Sequence, residues 1–173
     1  TLHVGAGTFL PVKADDVTEH HMHVEHFAVT ADTLRALISG AGKITAVGTT
    51  SVRTLESLVG LGYRTISQGG PDPEKPVGQW ELYDIPEEYD AEELLGALLS
   101  YMEQNGLQKL CTATSIMIMP GYRFRDVNMI ITNFHQPKSK LLLLVPAFVG
   151  VDWRKIYEYA KDNGFRFLSY GAS

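Results

Sequence analysis

Three observations predict a mixed α/β domain, with α+β as the near alternative. A buried-strand pattern over residues 44–47 runs through Gly48-Thr49-Thr50-Ser51 into a helical pattern over 52–59, the half-unit from which α/β folds are built. Residues 90–104 place Leu94, Leu95, Leu98, Leu99 and Met102 on one stripe at helical spacing. Short strand-like runs at 113–119 and 127–132 flank the Pro120-Gly121 turn.

The remaining elements follow in chain order. Leu2-His3-Val4 reads as a short strand entering the tight Gly5-Ala6-Gly7-Thr8 turn. Residues 13–26 are polar without a clean period and read as an ordered loop or short helix. Thr30 or Asp32 caps a helix through Ser39, ended by Gly40 and Gly42. The helix at 52–59 is expected to stop at Gly60, with a strand over 63–67. Residues 68–78 hold three prolines and three glycines and read as a turn-rich excursion, followed by a strand over 79–85. Asp90 starts the long amphipathic helix and Asn105-Gly106 ends it. Residues 140–149 fit a buried helix or strand, with Pro146 favouring a break near the end. Asp152 caps a helix to about Asp162, Gly164 stops it, and 165–169 form a terminal strand.

A chain of 173 residues with 45% apolar side chains has enough material to bury a core, which excludes disorder. A single cysteine excludes a disulfide scaffold and suits a reducing cytoplasm, the compartment expected here. The longest apolar run, 141–150, is about half of what a membrane helix needs, so no membrane association is expected. Net charge is -5, but residues 72–93 carry nine acidic side chains against the single base Lys75. The other residues therefore sum to +3, a mildly basic body behind an acidic segment.

Four segments are rich in polar side chains where packing alone would not put them. The glycines Gly5 and Gly7, beside His3 and Thr8, resemble a dinucleotide fingerprint, but Leu10 stands where a third glycine belongs and no helix pattern follows. They suit close approach of backbone to a ligand or another strand. His20, His21, His23 and His26 with Glu19 and Glu25 crowd eight residues, yet match no zinc spacing; no metal is expected, and the set reads as hydrogen-bonding groups beside a polar ligand. Thr49, Thr50 and Ser51 stand at a helix N-terminus, where N–H groups and hydroxyls favour a carboxylate or phosphate and Arg53 adds a fork. Ordinary capping needs only one of those hydroxyls. In 131–139 a strand ends in Asn133, His135, Lys138 and Ser139 around Pro137. His135 is the best general acid/base candidate and Lys138 an anion holder.

Taken together, LHVGAGTF, EHHMHVE, VGTTSVRTLES, PGYRF, ITNFHQPKS and FRFLSYG resemble the S-adenosylmethionine:tRNA ribosyltransferase-isomerase family of queuosine biosynthesis. They cover residues 2–67 and 113–171 in order. Departures at Val24, Ser115, Gln136, Lys140 and Ala172 mark a divergent member, because two of them replace acidic residues of the family pattern.

The resemblance implies the C-terminal part of the family's larger domain: a single α/β domain over 1–173 with a mixed, barrel-like sheet, surrounding helices and an acidic insertion at about 68–112. It implies that S-adenosylmethionine donates its ribosyl group to 7-aminomethyl-7-deazaguanine in tRNA, giving epoxyqueuosine. The implied partners are that tRNA and an N-terminal half of the same protein. His135, His23 and Lys138 carry over as catalytic residues. His3, Gly5, Gly7, Thr8, His20, Glu25, Thr49, Thr50, Ser51, Arg53, Asn133, Ser139 and Tyr170 carry over as substrate-binding residues. The alternatives are a different acceptor, or a non-catalytic module that binds S-adenosylmethionine or a nucleoside.

Overall fold

The structure is a computed structural model that describes residues 2–3, 21–135 and 140–166. Strand β1 (Leu2–His3) pairs antiparallel with β2 (Glu25–Thr30), which pairs antiparallel with β4 (Lys109–Thr114). A second sheet joins β3 (Thr45–Val47) and β5 (Met129–Ile131) in parallel, with Thr45 opposite Met129 and Val47 opposite Ile131. Among the described residues neither sheet closes on itself, so the expected barrel-like sheet is replaced by two small open ones. Among the described residues five helices accompany them: α1 (Ala31–Ser39), α2 (Thr49–Gln68), α3 (Ala91–Gln104), α4 (Leu144–Val149) and α5 (Trp153–Asp162).

β2 was not expected as a strand. Its inward row is Glu25, Phe27 and Val29, and a carboxylate in the first inward position hides the alternation that marks a half-buried strand. Thr30 ends it and caps α1, its hydroxyl accepting the Thr33 N–H at 3.2 Å.

The main correction is α2, which does not stop at Gly60 but runs through the expected 63–67 strand to Gln68. Both internal glycines are places of close approach. A Cβ on Gly62 would lie 2.1 Å from the Leu94 carbonyl oxygen of α3, and one on Gly60 would lie 2.4 Å from the Leu82 side chain. The local cost of glycine in a helix, about 1 kcal/mol, is offset by letting α3 seat directly on α2. Leu58, Leu61, Leu94, Leu95, Leu98 and Met102 then form the centre of the core.

The acidic segment is likewise not an appended insertion. Val77, Leu82, Ile85 and the inner stripe of α3 belong to the main core. Val77 exchanges backbone hydrogen bonds of 2.9 Å with Ala113 and Ser115 beside the end of β4. Arg64 of α2 forks onto both Glu81 oxygens and donates to the Lys75 and Pro76 carbonyls, tying the segment down. The carboxylates occupy the outer face while the apolar residues between them are buried. Residues 81–84 form a 3-10 turn where a strand was expected.

α3 is the amphipathic helix expected over 90–104, and Asp90 caps it by accepting the Glu93 N–H at 2.8 Å. The ambiguous 140–149 stretch is a 3-10 turn followed by α4, and Pro146 sits in the first turn of α4, where its missing N–H leaves no helical bond unmade. Asp152 precedes α5 but does not cap it through its side chain, which instead meets Lys155 Nζ at 2.7 Å. The expected strand at 165–169 lies largely outside the described residues.

Candidate functional site

The two parallel strands deliver their C-terminal ends to the same edge, the place where α/β sheets build sites. β3 ends at Val47 and turns through Gly48 into α2, with Gly48 at φ 87°, a left-handed conformation that a side chain would strain. The Gly48 N–H donates to the Ile131 carbonyl at 2.8 Å, locking the helix N-terminus beside the end of β5. Thr132, Asn133 and His135 follow directly.

On the α2 side, Thr50 and Arg53 meet the beginning of β2. Arg53 is 1% exposed and Glu25 equally buried, and Arg53 Nη1 lies 2.8 Å from Glu25 Oε2. That contact is an ion pair without the alignment of a hydrogen bond. The other carboxylate oxygen, Oε1, accepts from Thr50 Oγ1 at 3.2 Å and lies 2.9 Å from His23 Nε2. Arg53 also donates from Nε to the Ile116 carbonyl at 3.0 Å and from Nη2 to the His23 carbonyl at 3.1 Å. His23 Nε2 is 3.2 Å from Arg53 Nη1 as well, so it donates to the carboxylate in one tautomer or accepts from the guanidinium in the other. Burial pulls the Arg53 pKa below its usual value, with Glu25 opposing the shift. Each guanidinium nitrogen has a partner inside the protein, and the group organises His23 and Glu25.

Ser51 differs from Thr50. Its hydroxyl donates to the Val47 carbonyl at 2.7 Å, a bond back to the preceding turn. Thr49 is buried at the helix end. The first N–H groups of α2 have no intrahelical acceptor, as in any α-helix, and the Gly48–Ile131 bond sets this helix end beside the end of β5.

On the β5 side, His135 is 5% exposed, and burial lowers its pKa, which holds the imidazole neutral at pH 7. Nε2 is 3.1 Å from Thr132 Oγ1, and the His135 backbone N–H donates to the Tyr157 hydroxyl of α5 at 3.0 Å. Beside it opens an apolar cleft of about 310 Å³, lined by Asn133, Phe134, Leu144, Phe148, Ile156 and Tyr157 among others.

His23, Glu25, Thr50 and Arg53 are therefore one cluster, and Asn133 and His135 stand on the adjoining strand end. Gly5, Gly7, Thr8, His20, Lys138, Ser139 and Tyr170 lie outside the described residues, and for His3 only the backbone is described, paired with His26. Among the described residues no three His, Cys, Asp or Glu side chains are grouped to hold a metal ion. No helix among them is long and apolar enough to cross a membrane. Thr132 and Tyr157 escaped the sequence reading: Thr132 lay inside a quoted segment, while Tyr157 gave no signal beyond being one aromatic on an amphipathic helix.

The whole chain, residues 1–173, matches the family described as queuosine biosynthesis protein. It is 41% identical to the S-adenosylmethionine:tRNA ribosyltransferase-isomerase of Caulobacter vibrioides, across all of this chain and 37% of that protein. The enzyme of the same name from Brucella anthropi is also 41% identical, across 99% of this chain and 37% of its own length. The chain thus spans little more than a third of the relatives it matches. Among solved structures, S-adenosylmethionine tRNA ribosyltransferase from Thermotoga maritima superposes with a TM-score of 0.53 at 29% identity, covering 85% of this chain and 38% of that one. With a family match from end to end and relatives at this level of identity, the chain belongs to the queuosine biosynthesis protein family.

Proposed function

We propose that this chain is part of a tRNA-modifying enzyme that transfers and isomerises the ribosyl group of S-adenosylmethionine onto 7-aminomethyl-7-deazaguanine in tRNA. The product is epoxyqueuosine, and adenine and methionine are released. The observation that carries the reading is the meeting of the α2 N-terminus with the His135-bearing end of β5, in a chain whose relatives carry this enzyme name along its entire length.

The chemistry fits the groups present. A sulfonium acidifies the neighbouring C5′ protons, and a neutral imidazole at His135 is in the form that accepts one. Adenine departs with the electron pair of its glycosidic bond and needs a donor, a role for Asn133 or for His135 once protonated. Methionine leaves with the electron pair of the C5′–S bond. Its carboxylate suits the helix N–H groups at Thr49 and Thr50. Arg53 supports this site by holding Glu25 and His23 in place, since it is buried and each of its nitrogens already has a partner. Lys138, Ser139 and the 4–20 segment with Gly5, Gly7, Thr8 and His20 complete the proposed set. The donor is a substrate, no metal takes part in the scheme, and the rest of the protein and the precursor tRNA are the partners, all in the cytoplasm.

The test incubates the intact protein with S-adenosylmethionine and tRNA bearing the deazaguanine precursor. Adenine release that depends on this tRNA is the expected result. Release without it identifies a different acceptor, and no release by folded, ligand-binding protein removes the catalytic reading.

A further inference from the structure

Glu56 of α2 has no exposed surface, and four donors converge on it. The Tyr122 hydroxyl and the Arg125 N–H reach Oε2 at 2.7 and 3.2 Å, and the N–H groups of Asp126 and Val127 reach Oε1 at 3.1 and 2.9 Å. One side chain thus fastens residues 122–127 to the helix. Asp126, itself 3% exposed, brings a second carboxyl group to the same place, and its Oδ2 has no hydrogen-bond partner.

The groups facing this pair are few. Tyr122 and Arg125 come from the loop itself, and Tyr83 of the 81–84 turn stacks edge-on against Tyr122 with ring centroids 5.3 Å apart. The Arg125 guanidinium is turned away, donating to the Ile85 carbonyl at 2.7 Å. Among the described residues no cation pairs with either carboxyl. Two ionised carboxylates side by side out of water repel strongly, so one of them keeps a proton. Glu56 has four donors that favour its charged form, whereas Asp126 Oδ2 has none.

The loop also leads into the site. Asn128 follows the fastened residues, its N–H donating to the Ile44 carbonyl and its Oδ1 accepting the Ile44 N–H, both at 2.9 Å. β5 begins at the next residue and ends beside Thr132 and His135.

We propose that Glu56 and Asp126 form a positioning pair in which Asp126 keeps its proton, and that loss of this proton loosens residues 122–127 from α2 and displaces β5 with Thr132 and His135. Burial, and then the charge of Glu56, push the Asp126 carboxyl up to about 7, and burial raises Glu56 as well. The sign follows from linkage. Between about pH 4 and pH 7 the folded state keeps a proton that the unfolded state releases, so the contribution is full at acid pH and lost as pH rises towards 7. The effect on catalysis rests on the proposed function; the effect on the fold does not.

The experiment uses the intact protein and its Asp126→Asn variant, which holds the neutral shape at every pH. Urea unfolding at pH 5 and pH 7 should show the wild-type folding constant falling about 50-fold more than that of the variant. Amide exchange at Arg125, Asp126 and Val127, corrected for intrinsic rates, should lose protection through neutral pH in the wild type only. Carbon NMR of the Asp126 carboxyl in the wild type needs no variant, and a midpoint near neutrality is expected. A midpoint near 4, or identical pH dependence of wild type and variant, overturns the pair. With the pair intact, an adenine-release profile whose alkaline fall is the same in both proteins overturns its positioning role. If neither protein releases adenine at any pH, the proposed reaction fails while exchange and NMR still decide the pair.

Discussion

Arg53 and Glu56 lie one helical turn apart in α2, both out of reach of water, and they are satisfied in opposite ways. Arg53 meets a carboxylate, Glu25, and the two charges neutralise each other with help from Thr50, His23 and two carbonyls. Among the described residues Glu56 meets no cation, and it is held by one hydroxyl and three backbone N–H groups. The first arrangement fixes side chains of the site relative to one another. The second fixes a loop, and through it a strand. A buried charge paired with a charge fails when its partner is removed, whereas one held by peptide N–H groups fails when its own acceptor is altered.

That contrast is open to a direct attack by mutation. The largest effect is expected for Arg53→Met, which keeps the bulk of the stem but leaves Glu25 buried without its cation; it should cost about 4 kcal/mol in urea unfolding of the intact protein. Glu56→Gln should cost less, about 2 kcal/mol, because the amide still accepts from one side while its NH₂ opposes N–H donors on the other. Its amide-exchange signature should concentrate at residues 125–127, and a uniform loss of protection across α2 would break the distinction between the two clusters. The smallest effect belongs to Thr50→Val, which keeps the shape and removes one hydrogen bond to Glu25, for about 1 kcal/mol. Should Thr50→Val match Arg53→Met in cost, the ion pair would not be the element that holds the first cluster.

The sequence disclosed the first cluster far better than the second. His23, Glu25, Thr50 and Arg53 belong to polar segments that packing does not explain, so composition alone draws attention to them. Glu56 sits among Leu55, Ser57 and Leu58, where an acidic residue on a helix reads as solvent-facing until the Tyr122–Val127 contacts are known. Asp126 is equally silent in a loop rich in arginine. The cap at Thr30 was legible because capping is a local interaction, whereas the one expected at Asp152 gives way to its ion pair with Lys155. Gly60 reads as a helix stop because a glycine that ends a helix and one that admits a neighbour look the same in sequence; the Leu82 side chain against Gly60 and the Leu94 backbone against Gly62 separate them. The acidic stretch reads as an insertion because the motifs that carry the resemblance stop at 67 and resume at 113. Charge dominates its composition, while Val77, Leu82 and Ile85, which carry its burial, are few and widely spaced.

The central claim is that the strand end bearing His135, set against the α2 N-terminus, carries out chemistry on bound S-adenosylmethionine. The most direct measurement is adenine release by the intact protein and its His135→Ala variant, with calorimetric binding of S-adenosylmethionine measured in parallel. Binding retained with release abolished is the predicted result; turnover unchanged by the substitution would contradict it.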